Sequence, residues 1–250
     1  MKLSLILSLL IIVMSNFEIV AQSPVKPLMV EVDGGTFDMG SNQSEDEKPI
    51  HSVTVSSFKI GKYPVTVAEY KAFCNATNRP MPGWEPSGGW IDTHPMANIR
   101  FDDAIAYCKW LSDVFNKEYR LPTEAEWEFA ARGGNKSKSY IYSGSDNLDD
   151  VGFYGCNSEE GTHPVGGKKP NELGIYDMSG NVWEWCKDLY NANYYSESPL
   201  VTPSGPLSGS YHVLRGGAWG MLAKDCRVAS RYESGPDYRN RNRGFRVVSP

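Results

Sequence analysis

The chain has 250 residues and a formal net charge of −5 with acids and bases interspersed, which leaves no basis for a nucleic-acid partner. Aromatic residues make up 12%, alongside 24 Gly and 16 Pro, a composition that favours aromatic-packed loops over long regular elements. No window beyond the first residues approaches twenty apolar positions, so no later membrane span is expected.

Lys2 followed by the apolar run Leu3 to Met14, with Ile19-Val20-Ala21-Gln22 offering a small residue where a signal peptidase could cut, has the layout of a secretory leader over residues 1–22. The expected product is secreted or periplasmic, with no membrane anchor after cleavage. An uncleaved N-terminal anchor is the alternative. Met29 to Val32 alternates into Asp33-Gly34-Gly35, a strand ending in a turn, and Thr36 to Ser41 reads as its return strand. Asn42 to Pro49 is an acidic surface loop, and His51 to Ile60 alternates again.

The period then changes. Thr66 with Glu69 forms a capping-box pattern for a helix that buries Val67, Tyr70, Phe73 and Cys74. Residues 79–95, rich in Pro and Gly, read as a long irregular loop. Asp102 opens a second helix with Ile105, Cys108, Trp110, Leu111 and Phe115 as its apolar face. Thr123 with Glu126 caps a third that buries Trp127 and Phe129, and Gly133-Gly134 stops it. Beyond Asn135 the pattern gives short strands and loops without a helix.

The five cysteines are Cys74, Cys108, Cys156, Cys186 and Cys226. Their odd number leaves at least one thiol unpaired in an oxidising compartment, and most read as buried and inert. Arg215, Arg231 and Arg246 stand beside glycines or aromatics, where a guanidinium fork ties loops through their carbonyls. Glu124, Glu126 and Glu128 read as capping and solvated residues, with Glu124 and Glu128 on one helix face.

Six segments in order carry a family pattern: 32–40, 63–66, 120–128, 174–185 (GIYDMSGNVWEW), 214–219 (LRGGAW) and 244–247 (GFRV). The chain resembles the sulfatase-modifying-factor, or formylglycine-generating enzyme, family over nearly its whole length. The resemblance implies an α+β, formylglycine-generating-enzyme-like single domain related to C-type lectins, over residues 27–250. Here that domain is loop-rich, with short strands and about three helices. Active members of the family oxidise a substrate cysteine with copper held by two cysteines after a Gly-Gly-Ser turn. At the matching turn, Gly216-Gly217-Ala218, an ungapped count puts Met221 and Cys226 at the two ligand positions. Aligning Arg227 and Arg231 with the family's arginines moves Cys226 off the second position. Either way the pair is broken, Cys226 is the one candidate catalytic residue, and copper is not expected.

The family's calcium site carries over to the side chains of Asp177 and Glu184 and the carbonyls of Gly180 and Val182, a set of hard oxygens suited to calcium. The competing reading is structural: Asp177 caps a turn, Glu184 pairs with a buried arginine, and Trp183 and Trp185 are core. Three functions stand. The first is a non-catalytic binding or assembly module for a secreted or cell-surface protein. The second is a residual or altered thiol oxidase. The third is a lectin-like module recognising a glycan or another ligand with the loops from Trp219 to Arg243, whose tail 236–243 reads as polar and solvated.

Overall fold

The computed structural model describes residues 24–250 except Ser87; the expected leader at 1–22 lies outside the described residues. Strands β1 (Met29–Val32) and β2 (Gly35–Met39) are one arm of a long bent ribbon, and β3 (His51–Val55) and β4 (Phe58–Gly61) are the other. Val32 faces Phe58 and Gly35 faces Val55 in the antiparallel register. The expected pairing of β1 with β2 is therefore corrected. Asp33-Gly34 is a bend, and the acidic loop before His51 is the turn. The physical reason is at Gly34, whose N–H donates to Ser57 Oγ and where a Cβ would strike the backbone of Val55 to Ser57. β9 (Val248–Ser249) adds to β4, so the ribbon reaches the end of the chain.

Thr66 caps α1 (Val67–Thr77) through the reciprocal bonds with Glu69, and Val67, Tyr70, Phe73 and Cys74 are buried as their spacing requires. Helix α2 (Phe101–Phe115) begins one residue early. Its buried face is Ala104, Tyr107, Cys108 and Leu111, while Ile105 is exposed. The true stripe follows the i, i+3, i+4, i+7 spacing, and Ile105 falls off it. Helix α3 (Glu124–Ala131) is capped by Thr123 and Glu126 and ends at Gly133 and Gly134, both left-handed. A four-residue helix, α4 (Leu148–Val151), interrupts the region expected to hold none; Asn147 caps it. The second sheet runs β7-β6-β5-β8, from β5 (Trp183–Leu189), β6 (His212–Arg215), β7 (Arg231–Ser234) and β8 (Arg243–Gly244). β5 and β8 are parallel, and the other neighbours are antiparallel.

Two apolar clusters fill the interior. One packs α1 and α2 against Trp183, Trp185 and Phe245; the other packs α3 against the ribbon and Val213. Between them run buried ion pairs, and these overturn the solvated reading of the α3 acids. Glu124 and Glu128 lie on one face of the helix, but that face is inward. Glu128 meets Arg215 and, at 2.6 Å, Arg132. Burial opposes its charge, and the two guanidiniums outweigh it, holding its carboxyl below the usual range. Glu124 binds Arg231 through both oxygens, at 2.6 and 3.0 Å. Glu184 binds Arg246 in the same forked way, at 2.6 and 2.7 Å, and accepts Trp127 Nε1–H at 2.7 Å. The arginines also donate to carbonyls, Arg215 to those of Val228, Ala229 and Ser230 and Arg246 to those of Gly61 and Tyr176.

Removing one partner of such a pair strands the other charge in the interior. Glu184→Ala is expected to lose about 3–5 kcal/mol in urea unfolding, whereas Lys109→Ala, from an exposed pair with Asp113, changes less than about 1 kcal/mol.

Candidate functional site

Strand β6 delivers the chain into Gly216 and Gly217, with φ of 96° and 74°. Both conformations suit glycine, and a Cβ would strike the Trp127 ring at the first and Cys226 at the second. The turn is pinned by Trp219 N–H donating to the Asn181 carbonyl and Met221 N–H donating to that of Ala218. A 3-10 turn, Ala223–Cys226, follows, and Asp225 accepts the N–H of Leu222 at its start.

Cys226 ends that turn directly beneath Gly217. It is fully buried, beside Leu148 and Val151, and Met221 packs against the same small cluster. Burial pushes its thiol up to about 12, with Asp225 adding to the rise and the Ala218 N–H opposing it. Such a group is a protonated thiol at neutral pH, neither nucleophile nor soft anionic ligand. Cys186, the thiol that could have completed a pair, lies in the separate cluster under α3 and is likewise raised by burial. All five cysteines are free, and only Cys156 is exposed.

The residues carried over for calcium are placed as follows. Asp177 is buried in a left-handed conformation; its carboxylate accepts the N–H of Gly166 at 2.7 Å and the side-chain amide of Asn181 at 3.3 Å. Burial raises its pKa, partly offset by the Gly166 bond. Gly180 and Val182 follow on the loop into β5. Glu184 points the other way in its chemistry: both its oxygens are engaged by Arg246, one of them also by Trp127. Trp183 and Trp185 are core. Among the described residues no three His, Cys, Asp or Glu side chains converge as a metal cluster.

Two clefts flank the Trp219–Met221 turn. One, of about 460 Å³, is walled by the irregular loop 79–95 and by Trp219 and Arg241, with Arg241 5.9 Å from the Trp84 ring and 5.8 Å from that of Trp219. The other, of about 450 Å³, lies between the 3-10 turn, β7 and residues 240–243. There Trp183 stacks on Tyr232, with ring centroids 5.3 Å apart, and Arg227 pairs with Glu47. Asn242 and Arg243 are buried, which corrects the reading of the whole tail as solvated: they run into β8 beside Trp183. No periodicity marks them, because β8 is two residues long.

The architecture is α+β, with short strands around a buried polar core. The family model of the sulfatase-modifying factor enzyme 1-like domain matches residues 16–250, and the chain belongs to that family. It is similar to a formylglycine-generating enzyme of Streptomyces coelicolor, 33% identical over 88% of each chain. A serine/threonine-protein kinase Pkn1 of Chlamydia trachomatis is 32% identical over 94% of this chain but only 41% of its own length. Among solved structures, Treponema denticola variable protein 1 superposes with a TM-score of 0.78 at 30% identity, covering 88% of this chain and 94% of its own.

Two measurements check the site. A thiol reagent such as dithionitrobenzoate should label Cys156 at once in native protein and the other four thiols only after unfolding. The second concerns Asp188, fully buried on β5. Burial, reinforced by Glu124 and Glu126 and opposed by the Glu124 N–H and Lys187, pushes its carboxyl up to about 8. Its folded pKa thus exceeds the unfolded one, so the folded state holds the extra proton between about pH 4 and 8 and loses stability as pH rises through that window. Asp188→Asn should flatten that decline and raise Tm at pH 8 by at least about 3 °C.

Proposed function

We propose that this chain is a secreted, non-catalytic member of its family, a binding module whose ligand face is built from the turn Trp219–Arg227 and the segment Tyr238–Arg243. One observation carries the reading. The position that would supply a thiolate pair holds a thioether, Met221, and a buried thiol, Cys226, pushed up to about 12. Cu(I) favours two soft anionic sulfurs, and a protonated, enclosed thiol offers none. The family's other signature residues, Glu124, Glu128, Glu184, Arg215, Arg231 and Arg246, are engaged with one another inside the fold. They support a scaffold that holds two open clefts at its surface.

Export rests on the apolar run Leu3 to Met14 and belongs to the same proposal. A calcium ion at Asp177, Gly180, Val182 and Glu184 is a separate one. It would have to share Glu184 with the Arg246 guanidinium, and the binding reading does not draw on it. An unchanged Tm on adding calcium to chelator-treated protein would dismiss it.

The enzyme reading is favoured by the name of the Streptomyces coelicolor relative. The two part on copper and on product. Purified protein titrated with Cu(I) against a competing chelator is expected to take up no tightly held metal, and a cysteine-containing peptide incubated with it in air to keep its mass. Stoichiometric copper that disappears in Cys226→Ala, together with conversion of the peptide cysteine to an aldehyde, would establish the oxidase instead.

A further inference from the structure

Among the described residues four arginines are at least nine-tenths buried: Arg215, Arg231, Arg243 and Arg246. Three of them meet carboxylates. Arg243, 6% exposed, meets none. Its Nη1 donates to Ser234 Oγ at 2.6 Å and to the Tyr238 carbonyl at 3.4 Å, and the Tyr238 ring lies 4.8 Å from Cζ. A buried guanidinium without a counter-ion is unfavourable, and burial pulls its pKa down, opposed by Tyr232 and Tyr238.

Arg243 lines the cleft of about 450 Å³, and what surrounds it there has a consistent chemistry. Lys224, exposed on the rim, has no carboxylate partner among the described residues; Arg227 pairs with Glu47 and Arg231 with Glu124, so Lys224 and Arg243 outnumber the one remaining lining carboxylate, Asp225, which accepts the N–H of Leu222. The cleft therefore presents free positive charge. Asn242, 9% exposed and adjacent to Arg243, also lines it, and its Oδ1 is buried without a hydrogen-bond donor. The NH2 of the same amide is not enclosed and has no side-chain partner, so a ligand hydroxyl can accept from it. Tyr232 is 46% exposed; Trp183 covers one face of its ring. The uncovered part is an apolar surface at the cleft wall.

We infer that this cleft binds an acidic saccharide. Its oxyanion sits against Arg243 and Lys224, a ring hydroxyl hydrogen-bonds the Asn242 side-chain NH2, and the apolar face of the sugar ring lies on Tyr232. A plain inorganic anion would answer only the charge, and a neutral sugar only the hydroxyl and ring. The combination calls for a hydroxylated ring bearing a carboxylate or sulfate. The inference rests on the binding-module reading in taking this face as the ligand face. It is tested without copper or peptide substrate, so either reading can fail alone.

The test is calorimetric titration of the full chain at constant ionic strength with D-glucuronate, D-glucose, sodium sulfate and a tetraglutamate peptide. Glucuronate is expected to saturate by about 10 mM, with glucose and sulfate each bound at least about tenfold more weakly. Arg243→Gln should weaken glucuronate at least about tenfold, and Arg243→Lys less. Should Arg243→Gln fold poorly, Tyr232→Ala and Lys224→Ala alter only exposed side chains, and each should weaken glucuronate several-fold. No saturation by glucuronate, or equal affinity for glucose or sulfate, would overturn the proposal. So would binding unchanged in Tyr232→Ala and Lys224→Ala. Tight tetraglutamate binding in place of glucuronate would reassign the cleft to acidic peptides and sink the saccharide.

Discussion

The fold depends on charges placed where water is excluded. Glu124, Glu128 and Glu184 project from α3 and β5 into the space between the two apolar clusters, and Arg215, Arg231 and Arg246 reach them from β6, β7 and the last loop. A carboxylate or guanidinium taken out of water alone costs several kcal/mol, and only forked geometry with the remaining donors satisfied offsets it. Here the remaining donors go largely to loop carbonyls. The result is a polar core that fixes segments far apart in sequence, with Arg246 joining Gly61, Tyr176 and Glu184 in one contact set.

This arrangement explains how a chain with little regular secondary structure holds its loops. Short strands supply few ladder bonds, and the region 79–95 contributes an isolated bridge of Pro95 with Thr66. Carbonyls that a long helix or sheet would pair are instead tied by side chains such as Arg215, which gathers three consecutive carbonyls just ahead of β7. The loops around Trp219 and Tyr238 lie outside that network.

It also separates membership from chemistry. The motif residues that mark the family here serve mainly the buried network, so their presence speaks for the fold rather than for an activity. At the Gly216-Gly217 turn stand a thioether, Met221, and a thiol enclosed under Gly217, Cys226. Arg243 is the converse case: it breaks the rule obeyed by the other buried arginines, and it does so at a cleft.

By itself the sequence determined the family, the three longer helices with their capping boxes at Thr66 and Thr123, the inward set of α1, and the loop-tying role of Arg215, Arg231 and Arg246 beside glycines or aromatics. These are local signals, written in 3.6-residue spacing and in side chains three residues apart. It misled where partners are distant or elements short. The pairing of β1 with β4, the burial of Glu124 and Glu128, and the helix at 148–151 depend on segments brought together only in the folded chain. Only the tertiary structure decided that Cys226 is enclosed and that Arg243 and Asn242 line a cleft, because burial is set by what packs over a residue, and no periodicity in a two-residue strand or a tight turn records it.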